Sequence, residues 1–226
     1  MTYRELINSV LRRLREDSIP TNWSGSILDA ANVTDYQVLI GDLVNEAKRQ
    51  VEDAWNWSIL RASTTVTTVA DTQAYTISGT SQRTRILMAQ EQTNGTILQE
   101  MSDPYLQFTK YPTSSVQKTL PHYYSVTGVD SGTGELTVEF EPVPDAAYNI
   151  TFRTVTPQGD FDAALDNLKV PHMPVILGAW ARAIAERGED GGSMSDMVFG
   201  QYQNALSDAI QIDAGRTVGE IDFYAC

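Results

Sequence analysis

Two glutamates invite a chemical reading first. Glu139 and Glu141 lie two apart in LTVEFE, and if that segment is a strand they project from the same face. A pair of carboxylates on one face is the equipment of a glycoside hydrolase, one acting as acid and the other as base or nucleophile. The same spacing also describes the solvated side of a strand whose other side carries Val138 and Phe140, and that reading is preferred. His122 in PHYYSV and His172 in VPHMPV are far apart, with no HExxH, no GxSxG and no phosphate-cradling glycine loop. Both read as structural or surface histidines. Asp160 and Asp162 in GDFDAALDN begin like a calcium loop, but the later ligands are missing. Cys226 is the single cysteine, so neither a disulfide framework nor a CxxC metal site is expected. No catalytic residue, cofactor site or metal site is expected.

The elements that must position these residues are legible from periodicity. Residues 34–61 carry apolar side chains at Tyr36, Leu39, Ile40, Leu43, Val44, Ala47, Val51, Ala54 and Trp55, the spacing of one helical face. Asp42, Glu46, Arg49, Glu52 and Asp53 fall on other faces. Thr34 with Gln37 forms a capping-box signal at the start. A shorter amphipathic helix is predicted over 2–16, then a loop over 18–33. Strands follow from about 63 to 152: a first hairpin around Val66, Val69, Tyr75 and Ile77, a second flanking Asn94-Gly95, a third around 128–134, and a closing strand over 148–155. The segment 103–111 reads equally as a short helix or an exposed aromatic loop. A polar link over 157–169 leads to a helix over 170–187, with Pro171 and Pro174 in its first turn. Ser193 and Asp196 suggest a capping box opening a last helix over 193–213, and 214–226 reads as an extended tail.

The expected class is α+β: a four-helix bundle formed by both chain ends, with a β-rich domain inserted between the second and third helices and an extended C-terminal tail. The expected divisions are 1–62 with 157–213 for the bundle, 63–156 for the β domain and 214–226 for the tail. The bundle core is assigned to Leu39, Leu43, Ala47, Trp55, Ile176, Trp180, Ile184, Tyr202 and Leu206.

Composition bounds the function. A chain of 226 residues with 42% hydrophobic and 20% charged residues can fold around a core. Its net charge of −13 argues against gripping nucleic acid by phosphates, yet suits a surface that DNA slides past. Should a basic ring exist, Arg182, Arg187 and Arg216 are its first candidates. Residues 1–17 carry four arginines and no apolar core stretch, so no cleavable signal is expected, and no run is long enough to span a membrane. The tail alternates Ile221 and Phe223 against Glu220, Asp222 and Tyr224, as an added edge strand does. Aromatics with no core to join suggest a docking segment, with the two aromatics as anchors and the acids as rim charges.

Four stretches together carry a family resemblance: YRELINSVLRRL, VEDAWNWSILR, PHYYSV…GELTVEFEPVPDAAYNITF, and VPHMPVILGAWARAIAERGEDGG…FGQYQNALSDAIQIDAGR. In their joint order they resemble the head–tail adaptor (connector) proteins of tailed bacteriophages, of the tail tubular protein A kind of short-tailed phages. The resemblance implies a non-enzymatic virion protein at the head–tail junction, assembled in the host cytoplasm. It implies a homo-oligomeric, twelve-fold ring between the portal protein and the tail nozzle protein, through which DNA passes without specific binding. The docking tail is then expected to meet the portal. Two readings of other classes stand beside it, a virion-associated glycoside hydrolase using Glu139 and Glu141 and a monomeric β-sandwich binding module.

Overall fold

The computed structural model describes residues 1–27, 33–102, 105, 118–188 and 192–216. Its contacts divide the chain into two compact units, residues 1–60 with 158–226 and residues 61–157.

Four helices are described, all in the first unit. Helix α1 (Tyr3–Leu14) opens with a full capping box, Thr2 accepting from the Glu5 amide while the Glu5 carboxylate accepts from the Thr2 amide. Helix α2 (Asp35–Ala54) opens in the same way with Thr34 and Gln37. Helix α3 (His172–Arg187) buries Pro174 to Ala179 without a break, then Ala181, Ala183 and Ile184. A helix apolar on so many sides belongs at the centre of its unit. Accordingly α1, α2 and helix α4 (Ser193–Ala214) each pack on α3, and α1 also packs on α2. Close approach needs small residues: a Cβ on Gly178 would lie 3.2 Å from the Tyr202 ring and 3.3 Å from Ala47. The Ser193–Asp196 capping box does not form. Gly192 occupies the cap position at φ 92°, and the Ser195 hydroxyl donates back to its carbonyl at 2.8 Å.

Helix α2 also ends seven residues before the predicted Arg61. Trp55 turns extended (φ −150°, ψ 160°), and a short 3-10 turn, Ser58–Leu60, follows. Side chains stop the helix. The Trp57 indole N–H donates to the Val51 carbonyl at 2.7 Å, taking one of the last-turn acceptors. The buried Asp213 carboxylate, from the far end of α4, accepts from the Trp55 indole (3.2 Å), the Ser58 amide (2.9 Å) and the Ser58 hydroxyl (2.5 Å).

The second unit is one mixed sheet of seven strands: β1 (Arg61–Thr67), β2 (Ala74–Ile77), β3 (Arg85–Glu91), β4 (Ile97–Glu100), β5 (Tyr123–Val129), β6 (Leu136–Glu141) and β7 (Asn149–Val155). The order is β1-β7-β3-β4-β5-β6-β2; only β4 and β5 run parallel, and the edge strands β1 and β2 approach each other. The result is a nearly closed, barrel-like sheet. Every strand sends at least one side chain inward: Val66, Ile77, Ala89, Leu98, Tyr124, Val138 with Phe140, and Ile150 with Phe152. The rings of Tyr124 and Phe152 meet edge to face at 5.6 Å.

The predicted architecture is corrected on both counts. The helices are not arranged as a bundle of both chain ends around a β insertion, because three of them share α3 as their common partner. The strands are not a set of hairpins either. The predicted first hairpin does not exist, since β1 pairs with β7 (Val66↔Ile150) and β2 with β6 (Tyr75↔Val138). The hairpins about Asn94-Gly95 and about residues 130–135 do form.

Burial would raise the Asp213 pKa, but the bonds from Ser58 and Trp55 outweigh it and hold the carboxyl below the usual range. Asp213→Asn is therefore expected to cost about 1–3 kcal/mol in urea unfolding near neutral pH. A depressed folded pKa contributes stability that is complete above the unfolded value, about 4, and fades as pH falls through the folded one. The gap between wild type and Asp213→Asn should narrow below about pH 4. A gap unchanged down to about pH 3 would show that the charge is not what holds this corner.

Candidate functional site

A polar stripe on α2 organises the first unit. Asn45, Lys48, Arg49 and Glu52 recur at three- and four-residue intervals, so they share one side of the helix. All four reach the strap formed by residues 158–168. The Asn45 amide donates to the Phe161 carbonyl (3.0 Å) and to the Tyr3 hydroxyl (3.2 Å), while its oxygen accepts from the Phe161 amide (2.9 Å). Lys48 and Glu52 are fully buried and 3.8 Å apart. The Lys48 ammonium also donates to the carbonyls of Gln158 and Gly159 and sits 4.3 Å from the centre of the Phe161 ring. Glu52 accepts from the Gln158 amide at 3.3 Å. Arg49 makes a two-pronged pair with Asp160.

The strap is sewn in from its other side as well. The Tyr3 amide donates to the Asp166 carbonyl (2.8 Å), Arg4 to Ala164 (3.0 Å) and Ile27 to Asp162 (2.9 Å). The Ser26 hydroxyl donates to the Asp162 carboxylate. A pocket of about 460 Å³ remains, with Tyr3, Asp42, Asn45, Arg49, Asp160 and Phe161 among its walls. Burial, and then the surrounding carboxylates led by Asp42, push the Tyr3 phenol far above its ordinary value. Tyr3 therefore stays neutral there.

This arrangement explains the aspartates that resembled a calcium loop. Asp160 pairs with Arg49 and Asp162 with Ser26, and no cluster of three or more potential metal ligands occurs among the described residues. Glu139 and Glu141 stand on the outward side of β6, half-buried, while Val138 and Phe140 fill the interior. His122 and His172 are both exposed, one just before β5 and one at the start of α3. Of the residues assigned to the helical core, Ala47, Ile176, Ile184 and Tyr202 are buried, while Leu39, Leu43, Trp55, Trp180 and Leu206 are half-buried. The tail residues Glu220, Ile221, Asp222, Phe223 and Tyr224 lie outside the described residues, as does most of 103–111. Sequence reasoning placed Glu52 among the outer-face charges and passed over Asn45 and Lys48. The signal was the interval of the polar stripe; its burial depends on the strap.

Two surfaces remain. On α4 the exposed positions include Met194, Met197, Phe199 and Ile212, and residues 193–214 contain no lysine or arginine. Where the end of α1 meets α3 and the start of α4, a pocket of about 320 Å³ has an apolar floor and an arginine rim. The Arg13 guanidinium lies 5.2 Å from the Trp180 ring centre. Arg187, on the same rim, is matched by Glu16 and the Tyr36 hydroxyl, and away from the pocket Arg182 lies 3.7 Å from Glu46. Arg216, the third candidate for a basic ring, is exposed beyond α4.

The charged groups of this lattice hold one element to another. A family model, SU10 adaptor protein, matches residues 1–220, and the chain belongs to that family, a phage head–tail adaptor family. No curated protein matches the chain. Membership makes it a structural virion component that associates with other head–tail proteins, and it points away from an enzyme. No helix among the described residues is long and apolar enough to cross a membrane.

If Lys48 and Glu52 act as a unit, Lys48→Met strands a buried carboxylate and should cost about 3–5 kcal/mol. Adding Glu52→Leu should recover part of that loss, giving a coupling of about 1–3 kcal/mol in a double-mutant cycle. Additive losses, within about 0.5 kcal/mol, would mean that each residue acts through the strap alone.

Proposed function

We propose that the chain forms a closed homo-oligomeric ring, twelve-fold like the adaptors it resembles, seated between the portal and the tail nozzle. The ring encloses a channel through which DNA passes without being held. The observation that carries this reading is the family match over residues 1–220. The outer face of α4 supports it. Large apolar side chains beside an uncharged or acidic surface are what a contact between copies covers, and a heterologous contact that closes makes a ring.

Charge supports the second half. Acidic residues outnumber Lys and Arg by 29 to 16, and Lys48, Arg49, Arg182 and Arg187 are each paired to a carboxylate of the same chain, so the net field at −13 per subunit opposes the gripping of a phosphate backbone. Repeated around a ring, that field repels DNA and keeps friction low during ejection.

Negative-stain images of the purified protein with portal rings should show closed rings at the portal, and the protein should not shift duplex DNA in a gel at low salt. Monomers alone at micromolar concentration, without rings on portals, would sink the ring. Micromolar DNA binding that weakens steeply with salt would sink the passive channel and place a basic ring in the lumen.

A further inference from the structure

The arginine-rimmed pocket has a shape and charge that its own unit leaves unmatched. Its floor is Leu14, Trp180, Ile184 and Met194, and its rim is Arg13, Arg15 and Arg187, of which Arg187 is matched by Glu16. Among the described residues no carboxylate pairs with Arg13 or Arg15. In a chain of net charge −13, two such cations beside a partly exposed apolar floor select an acidic segment that also carries large apolar side chains. The chain contains one outside the described residues: Glu220-Ile-Asp-Phe-Tyr224, within 217–226.

We infer that the segment 217–226 of one copy docks in the α1–α3–α4 pocket of its neighbour. Ile221 and Phe223 lie on the Trp180–Ile184–Met194 floor, and Glu220, Asp222 and Tyr224 face the arginine rim, with the acids toward Arg13 and Arg15. Reach decides for the neighbour. The pocket is at the start of α4 and the segment leaves from its end, and 22 helical residues at ~1.5 Å each separate the two by about 33 Å. From Gly215 to Phe223 a fully extended chain covers at most roughly 26–29 Å. A copy would need its segment at full stretch to bring Phe223 to its own pocket, which leaves no slack for the fit. The cavity nearest the root of the segment, walled by Trp57, Lys169, His172, Ile212, Asp213 and Arg216, already holds a carboxylate of its own under the influence of Arg216. Segment into neighbouring pocket is a head-to-tail contact, which closes as a ring, so the inference rests on the ring reading and supplies one of its contacts.

Cys226 makes the test direct, because it is the only cysteine. Full-length Met194→Cys is treated with a short bismaleimide under conditions where wild type assembles, with wild type as the Cys226-only control. The expected product is a ladder of chain multimers absent from the control. Ile221→Ala with Phe223→Ala, or Arg13→Glu with Arg15→Glu, should each lower its yield roughly tenfold or more, as loss of an interface anchor does. Glu220→Arg with Asp222→Arg should restore the yield of the Arg13→Glu, Arg15→Glu protein, which a merely misfolded variant would not allow. Cross-linking confined to single chains overturns docking on a neighbour. Intact wild-type rings without a Met194→Cys ladder overturn this contact and leave the ring standing, as does a segment protected only when portal is added. A wild type that never assembles defeats the ring reading itself.

Discussion

The burial of Lys48 is the constraint on which the helical unit depends. An ammonium removed from water costs several kcal/mol unless an opposite charge and acceptors replace its hydration. Here Glu52, two backbone carbonyls of the strap and the face of Phe161 do so together. Glu52 is on α2 itself, but the carbonyls and the Phe161 ring arrive only when residues 158–168 lie against the helix. The pair therefore ties the packing of a helix near the start of the chain to a segment more than a hundred residues later. Asn45 and Arg49 extend the same tie along the helix, one through a buried amide that both donates and accepts, the other through a carboxylate fork.

From the strap the constraint spreads outward. Its carbonyls receive the first amides of α1, so the capping box of that helix is anchored at a fixed place. Its end leads into α3, whose nearly all-round apolar surface then collects α1, α2 and α4. Asp213 completes the circuit by holding Trp55 and Ser58 just past α2. The internal pairing of cations does not change the net charge. Each pair takes up one carboxylate as well as one cation, so the excess of 29 acidic over 16 basic residues stands.

Much of this was legible. Thr34 with Gln37 and the three-then-four apolar spacing marked α2, because capping and amphipathicity are local properties. Strand β6 alternates inward Val138 and Phe140 with outward Glu139 and Glu141, and that period placed the glutamates on one outer face before any coordinates. The joint order of four stretches pointed to a phage head–tail adaptor, and the family match agrees.

Local sequence thus set where most helices and strands lie and which face of each is apolar, and composition set the strong acidic excess. Elements and faces follow from residues within a turn or two of one another. Tertiary structure alone decided that β1 pairs with β7 and β2 with β6, because alternation gives a strand its faces but not its neighbour. It alone decided that α3 is the common partner in place of a bundle, and that α2 stops at Ala54 on a carboxylate from the end of α4. Lys48 and Glu52 are the sharpest case. On the helix they read as an ordinary exposed pair, and only a distant strap that excludes water and supplies carbonyls turns them into the buried centre of the unit.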